Sequence, residues 1–79
     1  MEMEDIIEKV IMVVKETLDR DDVEPDSLMV DDLNIESLEF YELLGNLESA
    51  FHIKVPEKIL SNVDTVEDIA IAVQRIMEK

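Results

Sequence analysis

The sequence predicts an all-α protein, a small four-helix bundle of three main helices plus a short third one, with a long loop between helices 1 and 2. Three observations carry this. Apolar residues recur at helical spacing over three separate stretches, Ile7 to Leu18, Phe40 to Phe51 and Val66 to Met77. One glycine and two prolines are too few for the many turns of a β-rich fold. The 79 residues make a single domain, 1–79, and no repeat or low-complexity segment divides it. A chain of this size buries only about 60% of the surface its unfolded form exposes, so its stability margin is thin.

The first helix is expected over Glu4 to Leu18. Ile7, Val10, Ile11, Val14 and Leu18 form its apolar stripe, which Ile6 and Val13 widen. Its many β-branched residues give poor intrinsic helix propensity, so packing must hold it. Asp5 and Lys9 are spaced for an i,i+4 ion pair.

Asp19 to Glu36 follows as a connection rich in Asp. A loop this long in a compact domain is functional or packs against the core. Val23, Leu28, Val30, Leu33 and Ile35 are expected to pin it, and Glu24-Pro25-Asp26-Ser27 suits a turn.

The second helix is expected from Ser37 to Phe51. On a wheel at about 100° per residue, Phe40, Leu43, Leu44, Leu47, Ala50 and Phe51 share one arc and face the core. Leu38 and Tyr41 fall roughly opposite, beside Gly45 and flanked by Glu42 and Glu48. Two apolar side chains in one stripe edged by carboxylates read as a docking surface. Pro56 fits the first position of a short third helix ending near Leu60. Asp64-Thr65-Val66-Glu67 is a capping box for a fourth helix whose stripe is Val66, Ile69, Ala70, Val73, Ile76 and Met77.

The formal charge of −14 narrows the function classes. No Lys or Arg interrupts the acids between Asp21 and Glu48. Nucleic-acid binding is excluded on this balance, because it depends on neutralising phosphates with cations. An anionic membrane surface is disfavoured for the same reason. No apolar run approaches the roughly 18 residues of a membrane span, and the acidic start of the chain speaks against a secretory signal. The expected compartment is the cytoplasm.

The chain carries little that could do catalysis. Its single histidine, His52, lies about 20 Å from Ser37 at the other end of the same helix, too far to act as its base. Asp19, Asp21 and Asp22 lack the glycine and distal glutamate of a calcium loop, and there is no cysteine, so no dedicated metal site is expected. What remains is a serine at a loop-to-helix junction. Serine often caps helices there, and a helix amino terminus also favours an attached phosphate.

Across nearly its whole length the chain resembles the acyl carrier protein family. The resemblance rests on Asp32-Leu33-Asn34-Ile35-Glu36-Ser37-Leu38-Glu39, on Glu42-Leu43, Leu47-Glu48, Phe51 and Val55-Pro56, and on Thr65-Val66-Glu67-Asp68. In that family the serine of an Asp-Ser-Leu triplet carries 4′-phosphopantetheine from coenzyme A, and Ser37 matches it. The resemblance implies a non-enzymatic carrier, a monomer, that holds acyl groups as thioesters for fatty-acid, polyketide or related biosynthetic enzymes. It implies as partners a phosphopantetheinyl transferase and acyl-transferring and chain-elongating enzymes with basic patches. These would meet Glu36, Leu38, Glu39, Tyr41, Glu42 and Glu48. Phe40, Leu44, Leu47, Leu60 and Val63 would line an acyl pocket.

Three positions depart from the pattern. Glu36 replaces the usual Asp, Asn34 the usual glycine, and Gly45 a larger apolar residue, as in a specialised member with its own partners. Asp26-Ser27-Leu28 also spells the triplet, but Pro25 precedes it and no amphipathic helix follows. The competing reading is an unmodified acidic module that binds a basic protein through the same face.

Overall fold

The computed structural model describes residues 2–78. Four helices follow in order, α1 (Met3–Leu18), α2 (Ser37–Phe51), α3 (Glu57–Leu60) and α4 (Val66–Met77), as the periodicity predicts. The first starts one residue before the expected Glu4. The third starts one residue late, because Pro56 takes the extended cap position (φ −62°, ψ 136°) rather than the first helical one.

α1 packs against both α2 and α4, and the core lies between these three. Ile6, Val10, Val13 and Val14 are its buried residues on α1. Val10 and Val14 are the stripe residues that end fully buried, while Ile7, Ile11 and Leu18 sit half-buried at the rim, so the buried face leans toward Ile6 and Val13, the two expected to widen it. On α2, Leu43, Leu44, Leu47 and Phe51 are buried, with Phe40 and Ala50 partly so. On α4, Val66, Ile69, Ala70 and Val73 are buried, while Met77 ends exposed where the helix runs out. The expected Asp5–Lys9 pair is not made. Lys9 instead lies with Nζ 5.0 Å from the centre of the Phe51 ring, trading a weak solvated ion pair for a cation–π contact.

The loop wraps the bundle, but not on all the expected side chains. Val23 and Leu33 are buried, as is Met29, which the sequence reading passed over. Leu28 and Val30 point outward, Val30 at 69% exposure. Backbone bonds explain this register. Met29 N–H donates to Asp64 O at 2.8 Å, and Val66 N–H donates to Ser27 O at 3.1 Å, a short antiparallel bridge that faces alternate side chains in and out. Glu67 N–H donates to Pro25 O at 2.8 Å, so the loop also satisfies free amides of the first turn of α4. The Cα radius of gyration, 11.2 Å, is close to the about 11.6 Å of a compact chain this long, so the loop makes no excursion.

The α4 capping box forms one residue later than expected. Thr65 caps, its Oγ1 accepting from Asp68 N–H at 3.1 Å, and Asp68 Oδ2 accepts from Thr65 N–H at 3.1 Å. Asp64 lies one residue ahead of the cap, its carbonyl accepting from Met29 N–H at 2.8 Å and its own N–H donating to Asp68 Oδ2 at 3.1 Å. The amides of Thr65 and Asp64 hold the Asp68 carboxyl below its ordinary range.

Gly45 has no packing reason to be glycine. A Cβ built there meets nothing within 4 Å. Gly45→Ala is therefore expected to raise stability by about 0.5–1 kcal/mol, the helix-interior penalty of glycine. A urea titration of the two proteins reads this directly, and a lower midpoint for the variant would refute it.

Candidate functional site

The site is built where the loop enters α2. Asn34 takes a left-handed backbone (φ 51°), a conformation asparagine tolerates where most residues do not. Its N–H donates to Val30 O at 3.0 Å, and Ile35 N–H donates to Met29 O at 3.1 Å, which turns the chain back toward the helix. Arg20, at the far end of the loop, fixes the same junction. Its Nη1 donates to Leu33 O at 3.2 Å, while Nε and Nη2 each donate to a carboxylate oxygen of Asp22 at 2.6 Å. The fork from Arg20 lowers the Asp22 carboxyl to about 2. Sequence reading missed Arg20 because its carbonyl partner lies 13 residues away. The only signal was a lone cation opening an acidic stretch.

Glu36, not Ser37, is the helix cap. Its backbone is extended (φ −98°, ψ 164°) and its N–H donates to Glu39 Oε1 at 3.0 Å. In return the Glu36 carboxylate faces the Glu39 N–H, without closing a tight cap bond. Ser37 is thus the first helical residue, exposed, with its hydroxyl free of the capping role that its position invites. That leaves an accessible oxygen at the positive end of a 15-residue helix dipole, chemistry that fits a phosphodiester. Ser27 of the decoy triplet is only 8% exposed, and its Oγ accepts from Glu24 N–H at 2.9 Å inside the turn.

Around Ser37 the outward face holds Leu38 (71% exposed) and Tyr41 (52%), with Glu42 exposed beside them. Glu39 and Glu48 are half-buried and structurally engaged. Glu39 holds the Glu36 amide, and Glu48 Oε2 accepts from Val55 N–H at 2.8 Å, tying the segment before α3 to α2. His52 ends α2 in a left-handed conformation (φ 55°), as a C-cap, at the opposite end from Ser37.

One space adjoins the serine, and a second shares Ile35 and Phe40 with it. A shallow mouth of about 290 Å³ is lined by Ile35, Glu36, Ser37, Phe40, Tyr41 and Glu57. Behind it a smaller apolar cavity of about 120 Å³ is lined by Met29, Val30, Ile35, Phe40, Leu60, Ser61, Val63 and Ile69. Phe40, Leu60 and Val63 thus meet in one place. Leu44 and Leu47 lie in the main core and do not line it. Larger grooves elsewhere, including one of about 590 Å³ past Ile59, Ile71 and Arg75, do not reach Ser37, so size alone does not select the site. Among the described residues no acid or histidine cluster could hold a metal, and no helix is long and apolar enough to cross a membrane.

The comparisons agree with this geometry. A family profile described as "Phosphopantetheine attachment site" matches residues 8–73. The chain is 42% identical over 71 residues to an acyl carrier protein of Borreliella burgdorferi, covering 87% of this chain and 89% of that one. It is 36% identical over 61 residues to the acyl carrier protein of Helicobacter hepaticus, covering 77% and 80%. A solved Mycobacterium tuberculosis chain that bears the acyl carrier protein name superposes with a TM-score of 0.80 at 27% identity, over 89% of this chain and 96% of that one. Membership implies dealings with synthase and transferase enzymes. The chain belongs to the acyl carrier protein family, a carrier rather than an enzyme, holding acyl groups on a covalently attached 4′-phosphopantetheine.

Proposed function

We propose that the arm is attached through the Ser37 hydroxyl and that the α2 face around it is the docking surface for the enzymes that load and use it. The observation that carries this reading is the cap. Because Glu36 occupies that position, Ser37 stays exposed at the start of the helix, with its hydroxyl in no hydrogen bond among the described residues. The arm supplies a thiol that holds the acyl group as a thioester. The chain's own residues do the rest. The amino end of α2 favours the anionic phosphate, and Arg20 and Asn34 hold the junction in place. Ile35, Phe40, Leu60 and Val63 offer apolar cover for a bound chain.

The partners in this reading are a phosphopantetheinyl transferase and chain-elongating or acyl-transferring enzymes of fatty-acid, polyketide or related biosynthesis. They would present basic patches to Glu36 and Glu42, and less directly to Glu39 and Glu48, with an apolar contact to Leu38 and Tyr41. The carrier would act as a cytoplasmic monomer. Glu36, Asn34 and Gly45 favour a specialised member over a housekeeping one. Incubation with coenzyme A and a broad-specificity transferase, followed by intact mass measurement, tests the assignment. Wild type is expected to gain one phosphopantetheinyl group and Ser37→Ala none. No gain with several transferases would return the unmodified acidic docking module as the better reading, and a gain that survives Ser37→Ala would overturn Ser37 as the attachment residue.

A further inference from the structure

The mouth beside Ser37 is bridged by one hydrogen bond. The Tyr41 hydroxyl, on α2, donates to Glu57 Oε1, on the first residue of α3, at 2.9 Å. α3 has four residues, too few for a helix to hold itself, so its position depends on ties to its neighbours. Leu60 anchors its inner side at 1% exposure. The Tyr41 bond holds its outer side.

The mouth and the apolar cavity behind it share Ile35 and Phe40. The Phe40 ring meets the Tyr41 ring edge-on, with centroids 6.0 Å apart. A chain passing from Ser37 toward Leu60 and Val63 must therefore move past Phe40, under the Tyr41–Glu57 bridge. Taking the carrier reading at Ser37 as its basis, we propose that this hydrogen bond is a latch. It holds α3 against α2 and closes the passage, so that an apolar acyl chain enters or leaves the cavity only while the latch is open. Tyr41 and Glu57 are then gating residues, which favour chains long and apolar enough to reach the cavity over polar or very short ones.

The bond to Glu57 raises the Tyr41 hydroxyl above its ordinary range. Glu36 and Glu57 are the charged side chains lining the mouth. The raised value means the bond is fully present below the usual tyrosine range and is lost as pH climbs through the higher folded value. Tyr41 is the sole tyrosine and there is no tryptophan, so tyrosinate absorbance reports the latch alone.

Two measurements test the proposal. In the unloaded protein Tyr41 is expected to titrate above the ordinary tyrosine value, and Glu57→Ala to bring it down. Equal titration in both proteins would overturn the latch. In the loaded protein, hydroxylamine takes the acyl group as the hydroxamate and frees the thiol, so its rate reads exposure of the thioester. The readout is the ratio of acetyl to hexanoyl cleavage rates. Tyr41→Phe and Glu57→Ala are each expected to lower that ratio by roughly 2- to 10-fold, the range for losing one partly solvated hydrogen bond. The double variant should go no lower than the singles. Both substitutions fall on exposed residues outside the core, and the tyrosine ring is retained in the first. Failure of Ser37 to take the arm shows in the intact mass and sinks the carrier reading, and the latch with it. Loading with a ratio unchanged or raised in both variants sinks the latch alone.

Discussion

Leu47→Ala is expected to lower the unfolding free energy by about 2–5 kcal/mol, the range for truncating a fully buried leucine. Leu47 has no exposure and sits on the α2 stripe that packs against α1. The truncation removes apolar burial and leaves a cavity that the aliphatic neighbours close only in part. A domain of 79 residues has about 4–12 kcal/mol of stability in total, so this one change takes a large share of the margin. Urea unfolding should show a lower midpoint with an unchanged slope. A loss below about 1 kcal/mol would mean that α2 is not held through this stripe.

Charge reversal at Glu42 should have the largest effect on partner engagement. Glu42 is exposed on the proposed docking face and makes no side-chain hydrogen bond among the described residues. Glu39 and Glu48 are poorer choices, since each also holds a backbone amide and its loss would disturb the fold. Glu42→Lys places a cation where a basic patch must approach. The kcat/KM for transferase loading is expected to fall roughly tenfold or more at low ionic strength. Near 1 M salt, where screening acts within about 3 Å, the two proteins should converge. Glu16→Lys on α1 makes the same charge change away from this face and should leave loading close to wild type. Equal losses from both reversals would point to net charge rather than to a docking surface.

Much of this was legible in the sequence because helices write their burial at a fixed period. The arc from Phe40 to Phe51 located the core face of α2, and by difference it located exposed Leu38 and Tyr41. Where no period exists, legibility fails. In the irregular loop nothing marked Met29 as the anchor in place of Leu28 or Val30, since their register is set by backbone bonds to the start of α4. Adjacent acceptors are equally hard to separate. Asp64 with Glu67 and Thr65 with Asp68 both satisfy the capping pattern, and the structure uses the second, with Asp64 joined to the loop through its carbonyl. The same ambiguity hid Glu36 as the cap behind Ser37. Contacts between distant segments, Arg20 with Leu33 and Tyr41 with Glu57, leave no local trace.

The assignment of Ser37 has the most direct test in the chain's own cleavage pattern. Trypsin cuts after Arg20 and Lys54 and releases Asp21–Lys54, a peptide that holds Ser27, Ser37 and Ser49 together. Fragmentation of that peptide after transferase loading localises the arm to one of the three. The expected result is modification on Ser37 alone, with the buried Ser27 and the more distal Ser49 unmodified. An arm found on Ser27 or Ser49, or a loaded protein whose Asp21–Lys54 peptide is unmodified, would contradict the account.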